Sequence, residues 1–207
     1  MITPEKAWVR RGSGRRHAFD RQTVVEEAMK LFWERGYEGT SFVDLIAAMG
    51  ISASTFYNSF GSKEQLFIEA VHHYITGPGG ERVTKIFSAP HDTCTAFELL
   101  LEAAAFDFTN SNYPAGCMIS LAGTHVPPDQ RSVRDAMVKF RANFEHMLKD
   151  RLRRGVEAGD LAPDTDVTEL ASFFGTVFRG MAVQARDGKS RKHLRGLAKI
   201  AMRAWPA

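Results

Sequence analysis

Residues Ser52, Ala53, Ser54, Thr55 and Asn58 put short, polar or small side chains close together, while Phe56 and Phe60, four apart, turn the other way on a helix. A helix with so low a profile can sink into a DNA major groove roughly 12 Å wide and reach base edges or phosphates. Just after it, Lys63 falls in the first turn of another helix, where the dipole disfavours a cation unless an anion compensates; a phosphate is the natural one. Catalytic chemistry finds less support. His72 and His73 are adjacent, so on a helix they diverge by about 100° and cannot share a metal. No nucleophile elbow, HExxH run or paired-glycine cofactor fingerprint occurs, and Cys94 and Cys117 have no metal-ligand spacing. No enzyme, metal or cofactor is expected.

The elements that must hold these residues are legible from caps and periodicity. Asp20 caps a helix that runs to Arg35, with Phe19 stapled onto Val24 and with Val24, Ala28, Leu31 and Phe32 at helical spacing. Thr40 or Ser41 caps a second helix, in which Leu45, Ile46 and Met49 share a face. Gly50 ends it, Ile51 plugs the turn, and Ser52 caps the outward-facing helix. Ser62 and Gln65 form a capping-box pattern that opens a fourth helix, apolar at Leu66, Phe67, Ala70, Val71 and Tyr74. A plain helical hairpin is the alternative to a DNA reader. The charge distribution favours the reader: of a formal net charge of +3, residues 1–21 carry +4 and the remainder −1. Arginines in such an arm, Arg15 and Arg16 among them, can lie along phosphates or in a minor groove.

The order of basic arm, capped helix, Gly36-Tyr37, Thr40-Ser41, Gly50-Ile51-Ser52, Phe56-Tyr57, Phe60 and Lys63-Glu64-x-Leu66 closely resembles the tetracycline-repressor (TetR) family of bacterial transcription regulators. The motif-level likeness covers about residues 19–74. It implies phosphate contacts from Thr40, Tyr57 and Lys63, with Ser41 beside them, and places Ser52, Ala53, Ser54, Thr55 and Asn58 at or near the bases. Two positions depart from the family: Ser54 stands where many members have Gly, and Ile46 where a smaller residue is commoner.

Gly77-Pro78-Gly79-Gly80 breaks the pattern, and we read a boundary there: a basic arm over 1–18, a helix-turn-helix domain over 19–76 and a regulatory domain over 77–207. A phosphate cradle is disfavoured at this stretch, since no strand precedes it and no GKS/T pattern follows. A short helix over 81–87 leads to an apolar-faced helix with Phe97, Leu100, Leu101, Ala104 and Phe108. Cys117, Met118, Leu121 and Ala122 form another short helix, and Asp129 caps a long one reaching about Ala158, stopped by Gly159 with Pro163 beyond. Two helices follow, over 166–186 and 190–205. No period-2 strand pattern appears, so the fold expected is all-α: a three-helix DNA-binding head plus a larger helical domain, about nine helices in all.

Apolar residues wrap more than half of the penultimate helix, too many for one face. The surplus predicts a two-fold four-helix bundle with a second copy, which is how TetR-like proteins dimerise, through Leu170, Phe174, Val177 and Met181 and, from the last helix, Leu194, Leu197 and Ala201. By the same resemblance a ligand cavity lies among Phe97, Leu101, Phe108, Met118, Phe140, Phe144 and Phe178, with His125 or Asn143 as polar anchor. The reading is thus a homodimeric repressor that binds double-stranded DNA at a pseudo-palindrome and is released by a small apolar or aromatic effector. A helical adaptor or small-molecule carrier on the same scaffold is the alternative. The absence of an N-terminal apolar run or a spanning segment of about 20 apolar residues predicts a cytoplasmic protein without a membrane partner.

Overall fold

The structure, a computed structural model, describes residues 20–122, 126 and 130–206. Ten helices and no strand occur among them: α1 (Arg21–Arg35), α2 (Phe42–Met49), α3 (Ala53–Phe60), α4 (Lys63–Thr76), α5 (Glu81–Ser88), α6 (Thr93–Asp107), α7 (Met118–Leu121), α8 (Arg131–Ala158), α9 (Val167–Arg186) and α10 (Arg191–Met202). Nine of these have eight residues or more; α7 is a four-residue turn.

The caps explain where the front helices begin. Asp20 accepts from the Gln22 amide, Ser52 from that of Thr55 and Ser62 from that of Gln65. Of the two candidate caps for α2, Ser41 is the one used: its hydroxyl accepts from the Asp44 amide while the Asp44 carboxylate accepts from the Ser41 amide, a reciprocal capping box. Thr40 instead is fully buried, its hydroxyl donating to the Gly36 carbonyl at 2.7 Å. Gly50 has φ of 63°, the left-handed conformation that turns α2 into α3 at little cost only for glycine. Phe19 and its proposed staple lie outside the described residues.

A core of Phe32, Tyr37, Leu45, Phe56, Leu66 and Phe67 holds the head together, with Phe67 edge-on to Phe32 at 5.0 Å. The glycine-rich stretch between α4 and α5 has a steric reason. A Cβ at Gly79 would lie 2.1 Å from the Tyr74 ring, and one at Gly80 would lie 2.0 Å from the Ile75 carbonyl oxygen.

Behind the head, α8 packs on α9, and α10 packs on α6 and α9. Phe97, Phe174 and Trp205 form an aromatic knot there, with centroids 5.0–5.5 Å apart. The buried Arg151 ties the start of α6 to α8: it donates to the His91 carbonyl and to the Thr93 hydroxyl, both at 2.6 Å, and that hydroxyl donates to Asp160 at 2.8 Å. The long helix α8 starts after Gln130, which supplies no side-chain cap; Asp129, the expected cap, lies outside the described residues. The two halves meet through α1, α4, α7 and α8. At the end of α9, Arg186 donates to the carbonyls of Trp33 at 2.5 Å and Glu34 at 3.4 Å and pairs with the Glu34 carboxylate at 3.3 Å. These carbonyls belong to the last turn of α1, where helix oxygens lack intrahelical partners and the dipole favours a cation.

Candidate nucleic-acid interface and regulatory cavity

The outward side of α3 carries the polar cluster. Ser52, Ala53, Ser54 and Asn58 are exposed and Thr55 is half-buried, while Phe56 and Phe60 anchor the helix from beneath. The Ser52 hydroxyl lies 2.9 Å from those of both Ser54 and Thr55, so the three form one local network at the start of the helix. Tyr57 is 57% exposed, yet its ring stacks on Phe42 at 5.2 Å with an interplanar angle of 23°. An exposed phenol held in a fixed attitude costs little further ordering when it meets a partner.

Lys63 lies over the Tyr37 ring at 4.3 Å. Burial pushes its ammonium below the ordinary lysine value, only partly offset by Glu38. A nearby phosphate reverses that balance, because an opposite charge favours the ammonium form. Two other predicted contacts have separate positions. The buried Thr40 is committed to Gly36, so the structure gives it a positioning role in place of an outward-facing one. The Ser41 hydroxyl is exposed but donates to Asp44 at 2.6 Å while capping α2. Arg15 and Arg16 lie outside the described residues. Arg21, counted with the basic arm in the sequence, is engaged internally with Glu69 at 2.7 Å and with the Ser59 carbonyl at 2.8 Å. Val43, which is not among the expected contacts, is 68% exposed in the first turn of α2, and its offset from the Leu45–Met49 stripe is the sequence signal for that exposure.

A cavity of about 350 Å³ opens among α4, α5, α7, α8 and α9. Phe140, Asn143, Phe144 and Phe178 line it, as do His72, Met147, Arg141 and Arg179, which the sequence reading omitted. Phe97, Leu101 and Met118 do not line it. They are fully buried, and Phe97 belongs to the aromatic knot. Phe108 borders a separate hollow of about 360 Å³ with Trp33, Tyr74, Arg82, Asp107 and Tyr113. Burial raises the Asp107 carboxyl there against the opposing effect of Arg82. His125 lies outside the described residues. Cys117 is buried and lines the first cavity; it and the half-buried Cys94 are both free thiols. No group of three or more His, Cys, Asp or Glu suited to a metal ion occurs among the described residues.

The terminal hairpin presents only part of the set of residues expected to face a second copy. Phe174, Met181, Leu194 and Ala201 are buried within the subunit, so they cannot face a second copy. Leu170, Val177 and Leu197 are half-buried, and Phe173, Val183 and Ile200 are 40%, 46% and 61% exposed. With the exposed Gly180 and Gly196, these residues leave a low apolar strip along both helices.

The family model described as bacterial regulatory proteins, tetR family, matches residues 24–70, and that of the tetracyclin repressor-like C-terminal domain matches residues 98–201. The HTH-type transcriptional repressor ComR of Escherichia coli (strain K12) is 34% identical over 206 residues, spanning 100% of this chain and 98% of that protein. The chain belongs to the tetR family. A second relative, the HTH-type transcriptional repressor BdcR of the same strain, is 27% identical over 205 residues, covering 97% of this chain and 95% of its own. Among solved structures, a cysteine mutant of the TetR family regulator CifR, complexed with 26-bp double-stranded operator DNA, is 42% identical with a TM-score of 0.88. The match covers 93% of this chain and 100% of that one. The all-α tetR architecture read from the sequence, a helix-turn-helix head followed by a larger helical domain, is the one observed. None of the described helices is long and apolar enough to cross a membrane.

Proposed function

We propose that two copies of this chain, joined through the α9–α10 hairpin, bind a pseudo-palindromic operator as a cytoplasmic repressor and leave it when a small molecule occupies the cavity behind α4. The observation that carries the reading is α3: a polar, low-profile helix with an exposed, ring-stacked Tyr57, seated on a capped three-helix head. The similarity to the repressors ComR and BdcR, and to CifR in complex with operator DNA, supports the same reading. Ser52, Ala53, Ser54, Thr55 and Asn58 would meet bases or their flanking phosphates, and Tyr57, Lys63 and the Ser41 end of α2 the backbone. Arg15 and Arg16 would add salt-dependent affinity from the arm.

In the dimer the two α3 helices stand about one DNA turn apart, ~34–36 Å. An effector acts only through unequal affinity for the DNA-fitting and non-fitting arrangements, typically ~1–3 kcal/mol of coupling. No catalysis is assigned. The test is a gel-shift titration on the region upstream of the protein's own gene at several salt concentrations, with sedimentation of the free protein. A saturable, salt-sensitive shift by a dimer is expected. Absence of such a shift on every palindromic fragment, or a monomer in both states, would overturn the reading.

A further inference from the structure

The cavity behind α4 is built of two unlike parts. Its walls are aromatic and aliphatic, from Ile75, Val83, Phe140, Phe144, Met147 and Phe178. Two arginines, Arg141 of α8 and Arg179 of α9, line the same cavity. Neither is well neutralised. Arg141 makes one long hydrogen bond, 3.5 Å to the Ile119 carbonyl, and has no carboxylate partner among the described residues. Arg179 reaches Glu145 only at 4.0 Å, the outer limit of an ion pair. Burial first, and then the like charge of Arg179, push the Arg141 guanidinium below its ordinary value. Arginine does not relieve such a conflict by losing its proton, so both charges stay.

Two partly desolvated cations beside one another disfavour the empty cavity, and an anion between them removes the conflict. Guanidinium presents a planar fork of donors matched to a carboxylate, and charge-assisted bonds of this kind are about twice as strong as neutral ones. At about 350 Å³ the space is near the small end of ligand pockets, which run from about 300 to 1,000 Å³.

We infer that the cavity takes a small carboxylate with an aromatic or alkyl body, its carboxyl group held between Arg141 and Arg179 and its apolar part against Phe140, Phe144 and Phe178. This deepens the regulator reading and rests on it for the ligand's role, since the sequence alone suggests only a small apolar or aromatic effector. The arginines have a second consequence. Replacing Arg141 by glutamine removes a charge that the empty protein holds unfavourably, so that substitution stabilises the free protein while it abolishes the response to acid.

The experiment uses the full-length chain and three probe pairs: benzoate, hydrocinnamate and octanoate, each against its own amide. Thermal unfolding and titration calorimetry are read on the wild type, on Arg141→Gln and on Arg179→Gln. The inference expects at least one acid to raise the wild-type Tm, with its amide at least about tenfold weaker, the ratio that ~1.4 kcal/mol of lost charge-assisted bonding gives. Both variants should lose that acid response, and Arg141→Gln should have a Tm equal to or above that of the wild type. An amide that binds as well as its acid, an acid that binds the variants unchanged, or no response to any of the three acids would overturn it. Operator binding by the same preparations without probe is measured in parallel. A normal operator shift with no acid response sinks the ligand class and leaves the regulator standing, whereas acid binding without an operator shift does the reverse.

Discussion

Lys63 offers a quantitative test of how the head meets DNA. Its ammonium lies over Tyr37 at 4.3 Å in the first turn of α4, next to no carboxylate that forms an ion pair among the described residues. If each copy places this lysine on one phosphate, Lys63→Ala in a dimer removes two phosphate contacts. Each contact contributes about −0.9 to the slope of log Kobs against log salt, so the slope becomes shallower by about 1.8. Between about 50 and 200 mM salt the wild type should therefore lose roughly twelvefold more affinity than the variant. The contact carries no sequence information, so the ranking of operator variants stays as it was. The cost to the fold is modest: a half-buried cation–π contact falls between the ~0.5–1 kcal/mol of an exposed one and the ~2 kcal/mol of a desolvated one. Fluorescence-anisotropy titrations at four salt concentrations measure the slope, and Lys63→Arg serves as the charge-preserving control. An unchanged slope for Lys63→Ala, or a changed preference among operator variants with an unchanged slope, would refute the phosphate assignment.

Thr93→Val keeps the shape of the side chain but strips the hydroxyl through which Arg151 reaches Asp160. It leaves a buried charge short of a partner, at about 2–3 kcal/mol, so Tm in a chain of this size falls by roughly 4–12 °C. Thr93→Ser, which keeps the bond, should fall much less by the same thermal melt. Asp20, Asp44 and Asp92 have carboxyls held below the usual value, chiefly by the Thr23 hydroxyl, the Ser41 hydroxyl and the Thr95 amide respectively. Their depressed folded-state values give stability that is present above about pH 3.9 and is lost as pH falls through the folded values. Tm should decline in that acid window, and Asp92→Asn, which still caps, should flatten part of the decline. On the hairpin, Phe173→Glu with Ile200→Glu should leave the helical signal intact and yield a monomer by sedimentation. A persisting dimer would remove these two residues from the interface.

Much of the head is legible in the sequence because each helix start has a polar cap and each stop a glycine, and these local signals agree with the apolar spacing. The regulatory half is harder for a physical reason. Along α9, Phe173 and Phe174 are the same residue type 100° apart, and only the packing of α6 and α10 decides that Phe174 is buried while Phe173 remains 40% exposed. For the same reason Phe97 and Phe140 could not be told apart as core and cavity wall, since the two environments select the same side chains. Arg141 and Arg179 are not legible as cavity residues, because an arginine within a long helix reads as a solvated face until a neighbouring helix closes over it. Thr40 shows the reverse case: a hydroxyl that looks available in sequence is buried and committed to Gly36.

The grip of Arg186 on the end of α1 gives the hairpin a mechanical meaning. A helix of 20 residues is a shaft of about 30 Å, and a tilt of about 5° at its root carries its tip some 2.6 Å, most of one ~3.4 Å base-pair step. The tip is Arg186, fastened to the head by three hydrogen bonds. Under the proposed dimer, the shaft that sets the angle between copies is also the pointer that aims each head, so a small adjustment where Arg179 meets the cavity, two turns below that tip, is magnified at the groove.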